Sequence, residues 1–136
     1  MLRGLRTFGI SHSKKEDILA NDPFEYGKPS EFKKRINELS KLPDCFVCCN
    51  DFVARSTTEA KKPLGFSVSN DTCIIGYDGV KEAYEGSPTI TTFRVDSEFL
   101  GQETTKTLIS RIENRSIPGR QVIINSSVLI GESTKK

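Results

Sequence analysis

The chain is poor in the residues and runs that most often betray a function. It has one histidine, His12, and that residue sits in a polar segment. A Ser–His or Cys–His nucleophile pair is therefore not expected. No apolar run approaches the roughly 20 residues that span a bilayer. The N-terminal MLRGLRTFGI has neither an apolar h-region nor a small-residue cleavage site. Together these absences predict a cytoplasmic protein with no membrane partner. The net charge is only +2 over 136 residues, too little for the broad basic face of a direct nucleic-acid binder. Lys14-Lys15, Lys33-Lys34-Arg35 and Lys61-Lys62 lie among acids and read as solvated surface. G-x-x-x-x-G-K-[ST], G-x-G-x-x-G and G-x-S-x-G are missing as well, so neither a phosphate loop nor a nucleophile elbow is marked. The expectation is a protein that is not an enzyme and carries no cofactor.

What remains is ordinary: 35% hydrophobic and 28% charged residues, a soluble globular composition on its polar side. A chain of this length suffices for one domain, or one lobe of something larger.

The four cysteines are the loudest feature. Three fall in DCFVCCND, residues 44–51, and Cys45 and Cys48 have C-x-x-C spacing. A structural zinc site needs four ligands, and the other thiols are the adjacent Cys49 and the distant Cys73. Residues three apart on a strand point to opposite faces, and a redox pair belongs at a helix N-terminus rather than inside a strand. The cysteines therefore read as small buried hydrophobes, reduced and without metal.

Hydrophobic patterning predicts alternating strands and helices. A helix end is expected over 2–10 and a strand at DILA (17–20), then turn chemistry in NDPFEYGKPS. A helix capped by Ser30 should bury Phe32, Ile36 and Leu39 at i, i+4, i+7. CFVCC (45–49) and TCIIGYDG (72–79) are continuous apolar runs, the pattern of strands covered on both faces in a parallel sheet. A helix beginning at Asn50 or Asp51 should end before PLGF. TITTFRV (89–95) is a further strand. A long helix from Asp96 or Ser97 to about Asn114 should bury Phe99 or Leu100, Leu108, Ile109 and Ile112. QVIINSSVLIG (121–131) is expected as a strand pair or one long bent strand. The order predicts an α/β fold with a mainly parallel sheet.

In such sheets ligands bind beyond the carboxyl ends of the strands. Asn50 follows one buried strand, Asp78 follows another, and Phe24 follows DILA. An amide, a carboxylate and an aromatic ring at adjacent strand ends could bind a polyol, through paired hydroxyl contacts and stacking on an apolar face. Asn-Asp at a helix start is also an ordinary N-cap.

The series CCNDFVA, Gly65, DTCIIGYDG, SPTITTFRVD and FLGQ resembles the ligand-sensing region of the lactose/galactose repressor (LacI/GalR) family of transcription regulators. Asn50 and Ala54, Gly65, Asp71, Gly76-Tyr77-Asp78, Pro88, Thr91-Thr92 and Gly101 match that pattern without a gap. Upstream, LRGLRTFGI looks like the family helix carrying R-x-x-G-[FW]. The resemblance implies a two-lobed fold like that of periplasmic binding proteins, here truncated to mainly the C-terminal lobe. Residues 1–92 plus 124–136 would form most of that lobe. Residues 93–123 would be the crossover strand and helix that normally belong to the N-terminal lobe. A helix-turn-helix DNA-binding domain is absent from the sequence, so operator DNA would be contacted only through a domain outside it.

The resemblance further implies a small-molecule effector, a sugar by family habit. Asn50 and Asp78 would hydrogen-bond it and Phe24 would stack on it. Met1 stands where the family has a ligand-gripping Arg, and Val95 where it often has Gln, so weak or absent effector binding is expected of this chain by itself. A homodimer is expected, with the helix after Asn50 contributing. The runner-up reading is the solute-binding protein of a sugar transporter, which shares the fold; an enzyme on this scaffold is a distant third.

Overall fold

The structure is a computed structural model. It describes residues 7, 9, 29–85 and 88–134, without the side chains at 29, 31–33, 61–64, 82 and 84. The DILA strand, His12, Phe24, Met1 and most of the first helix lie outside the described residues, as does the side chain of Phe32.

Helix α1 (Pro29–Asn37) begins at a proline, the residue whose fixed φ and missing N–H suit a first helical position. Its Ile36 is buried, and Leu39 just beyond it packs against the same core. Strand β1 (Cys45–Val47) follows. Helix α2 (Asp51–Leu64) is started by Asn50, whose Oδ1 accepts from Val53 N at 3.0 Å. It runs through Pro63–Leu64, slightly further than expected, and Gly65 ends it at φ 78°, the left-handed step that terminates many helices. The hydroxyls of Thr57 and Thr58 donate to the carbonyls of Val53 and Ala54, both at 2.9 Å. That self-contained bonding lets two polar side chains sit in the core without a desolvation debt.

Strand β2 (Cys73–Asp78) is central, and β3 (Thr91–Arg94) follows a short helix α3 (Lys81–Glu85). The sheet order is β1-β2-β3-β4, where β4 is Ser127–Leu129. β1, β2 and β3 are parallel, with Cys45 opposite Cys73 and Ile75 opposite Thr91. β4 pairs antiparallel with β3. The expected α/β class with a mainly parallel sheet is what the chain forms. The core lies between α2 and the sheet, where Val53, Ala54 and Ala60 meet Phe46 and Ile74. Each fully buried large aliphatic there is worth about 1.5–3 kcal/mol.

The C-terminal hook docks at the start of β3. A 3-10 turn (Glu132–Thr134) brings fully buried Ser133 between β2 and β3. Ser133 Oγ donates to Ile74 O at 2.6 Å and accepts from Thr91 N at 2.9 Å. Gly131 passes so close to the Ile90 backbone that a Cβ would sit 2.6 Å from its carbonyl carbon.

Three expectations need correction. The long helix α4 (Ser97–Glu113) forms where expected, capped by Asp96 Oδ1 accepting from Phe99 N at 2.9 Å. None of its residues is buried, however: Leu108 is 58% exposed and Ile112 67%. No described element packs along it, so its apolar positions stay open among the described residues. Second, only Ser127–Leu129 of the 121–131 run is a strand. Val122 and Ile123 are exposed, because β3 offers only four residues to pair with. Third, the 45–49 strand stops at Val47, which is itself exposed. Val47 belongs to the sheet face opposite α2. There Tyr77, Phe93 and Val128 are also open, so only one face of the sheet is fully covered among the described residues.

Candidate functional site

The carboxyl ends of β1, β2 and β3 share one edge. Val47 lies opposite Ile75, and Asp78 lies opposite Arg94. The residues that emerge there are Asn50, three positions past β1, Asp78 as the last residue of β2, and Val95 just past β3. The structure thus brings Asn50 and Asp78 to adjacent strand ends; Phe24 lies outside the described residues.

Asn50 is partly occupied by its structural task. Its Oδ1 caps α2 through Val53 N, so its amide N–H2 is the group left for a ligand. Asp78 is differently disposed. It has φ 102°, a left-handed backbone that non-glycine residues seldom adopt and that concentrates at functional sites. Its carbonyl accepts from Val95 N at 3.1 Å, which extends the β2–β3 ladder by one step. Its half-buried carboxylate has no hydrogen-bond partner among the described residues. An unsatisfied acceptor at the mouth of a parallel sheet is suited to paired hydroxyls or ring N–H groups. Val95 offers only an apolar side chain, and its N–H is already used.

Under this edge lies a residue whose importance the sequence understated. Asp51, the first residue of α2, is 1% exposed. Its Oδ2 accepts from both Gly79 N at 2.8 Å and Val80 N at 2.9 Å. Those amides belong to the turn immediately after Asp78. Its Oδ1 is buried without a partner among the described residues and faces Gly76, where a Cβ would run into it. Two amide donors and the positive end of α2 stabilise the buried charge. Sequence reading took Asp51 only as a helix start. The available signal was the pairing of Asn-Asp with a Gly 25 residues later, followed by Tyr-Asp-Gly.

The cysteines contribute no second site. None of the four forms a disulfide, and no group of three or more His, Cys, Asp or Glu residues could hold a metal among the described residues. Burial pushes the Cys45 thiol up to about 11, with nearby Cys73 adding to it. Burial likewise pushes Cys48 up to about 12, against an opposing pull from the Thr57 hydroxyl. Both are protonated at neutral pH, which is the wrong state for a nucleophile or a metal ligand.

The periplasmic binding protein-like domain model matches residues 4–134. Over 122 residues the chain is 29% identical to the HTH-type transcriptional repressor PurR of Mannheimia succiniciproducens, covering 90% of this chain and 36% of the repressor. Over 101 residues it is 30% identical to the HTH-type transcriptional repressor MelR of Bacillus subtilis, covering 74% of this chain and 29% of that protein. The chain therefore spans about a third of the length of these curated relatives. In three dimensions it is similar to a LacI family transcriptional regulator from Arthrobacter solved in complex with lactose. The TM-score is 0.78 at 23% identity, with 98% of this chain and 48% of that one covered. The chain belongs to the periplasmic binding protein-like domain family, and it aligns with part of HTH-type transcriptional repressors.

Proposed function

We propose that the chain is the sensor segment of a cytoplasmic transcription regulator, and that it takes a small hydroxyl-rich effector, a sugar, at the carboxyl edge of its sheet. The observation that carries this reading is Asp78: a carboxylate at the end of the central strand, on a left-handed backbone, with no partner among the described residues. Asp78 accepts from ligand hydroxyls, the Asn50 amide donates, and Phe24 supplies a stacking face.

Residues 1–92 plus 124–136 form most of one lobe, and residues 93–123 pass to a second. That division accounts for α4, whose apolar side chains find no cover among the described residues. Effector held between lobes changes their angle and shifts the population between two states. Operator affinity changes in turn, through a helix-turn-helix domain outside this sequence. The regulator is a homodimer, with α2 at its contact; Phe52 on that helix is 52% exposed. The alternative, a transporter's solute-binding protein, shares the fold, but the relatives' names favour the regulator.

The test is calorimetric titration of the full-length regulator with a panel of mono- and disaccharides, lactose included, beside Asp78→Ala. Loss of binding in the variant, with melting unchanged, supports the site. Equal affinity in both proteins refutes it.

A further inference from the structure

We infer that Asp51 is a positioning residue for the effector site: it sets the left-handed backbone of Asp78 and so decides where the Asp78 carboxylate stands. This rests on the reading of Asp78 as an effector contact. The turn Asp78-Gly79-Val80 is held from two sides. On one, Gly79 at φ 73° lies against Arg94, where a Cβ would be 2.7 Å from the Arg94 Cα. On the other, Gly79 N and Val80 N both point at Asp51 Oδ2. Asp78 is the residue before this clamp, and its φ of 102° carries the chain from the strand into it. A left-handed non-glycine residue costs roughly 1–2 kcal/mol, and such strain persists only where its surroundings over-determine it. The two bonds to Asp51 are the specific interactions that do so.

The choice of a carboxylate supports a purpose beyond helix capping. Asn50 already caps α2. Asp51 Oδ1 is buried against Gly76 with no partner among the described residues, an arrangement that native structures keep to a few places and that calls for a reason. A carboxylate oxygen supplies a stronger acceptor for two converging backbone amides than a neutral amide oxygen does.

The experiment uses the full-length regulator with Asp51→Asn, Asp51→Ala, Asp78→Ala and the double variants. The backbone HN–Hα coupling of Asp78 is read by NMR, with amide exchange at Gly79 and Val80. Asp51→Asn keeps the shape and guards against a misfolded Asp51→Ala. The expected result is faster exchange at Gly79 and Val80 and a shift of the Asp78 coupling toward extended values, with residues 73–77 unchanged. The affinity for whichever panel sugar binds should fall about tenfold in Asp51→Asn, one hydrogen bond's worth. That loss should vanish in the Asp78→Ala background. An unchanged Asp78 coupling, or the same tenfold loss with and without Asp78, overturns the inference. If instead Asp78→Ala alone leaves sugar affinity intact, the effector reading falls while the NMR arm still judges Asp51.

Discussion

Alanine placed at three glycines should give three different answers, because the glycines are there for different reasons. At Gly76 the new Cβ would overlap Asp51 Oδ1 and come 3.4 Å from the Ala54 Cβ. The carboxylate cannot rotate away without abandoning Gly79 N or Val80 N. Overpacking alone costs about 1–3 kcal/mol, and stranding one buried amide adds about 1–3 kcal/mol. Because relaxation shares the two costs, Gly76→Ala should destabilise by about 2–4 kcal/mol. Gly65 has open space around it but φ 78°, so Gly65→Ala should cost about 1–2 kcal/mol through backbone strain only. Gly101 lies within α4, has ordinary φ and nothing within 4 Å of the added carbon. Gly101→Ala should therefore stabilise the helix by about 0.5–1 kcal/mol. Urea unfolding at fixed temperature ranks the three. If Gly76→Ala is no worse than Gly65→Ala, the tight contact between Asp51 and β2 is wrong.

Two further outcomes follow from buried groups. The Cys45 and Cys48 thiols are raised to about 11 and about 12 by burial. The unfolded chain loses these protons from about pH 8.5 upward, while the folded chain keeps them, so stability is fully present below that pH and falls as pH rises toward 11–12. A Cys45→Ala/Cys48→Ala double variant should lose much of that slope between pH 8.5 and 11, while mild alkylation of the parent at pH 8 should label exposed Cys49 first. Ser133→Ala should remove the bridge between Ile74 O and Thr91 N and destabilise by about 2–4 kcal/mol, seen as a lower urea midpoint with the sugar affinity of the regulator unchanged.

The sequence showed most clearly what a strong local pattern dictates. β2 and α2 were legible because CIIGYD and the Asn-Asp start leave few alternatives. Gly65 was singled out only through the resemblance to the repressor family, whose pattern has a glycine fifteen residues after the Asn. The edge that carries Asn50 and Asp78 followed from strand order alone. Long-range geometry was not legible. The apolar periodicity of α4 looks the same whether its partner layer lies in this chain or elsewhere, and none of its residues is buried here. The run 121–131 reads as strand, but strand length depends on how many residues the neighbour can pair, and β3 has four. Asp51 was hidden for a similar reason. Its partners lie 28 and 29 positions away on another element, so local reading saw only a helix start. The cysteines misled in the opposite direction, since C-x-x-C spacing catches the eye while burial of the thiols removes their chemistry.

The central claim, that effector binds at the carboxyl edge of this sheet, is tested most directly by amide chemical-shift mapping of the full-length regulator with the sugar that binds in calorimetry. The largest shifts are expected at Asn50, Asp78, Gly79, Val80 and Val95, all at that edge. Shifts concentrated instead at Thr89, Thr91 and Ser133, on the opposite edge where the C-terminal hook docks, would contradict it.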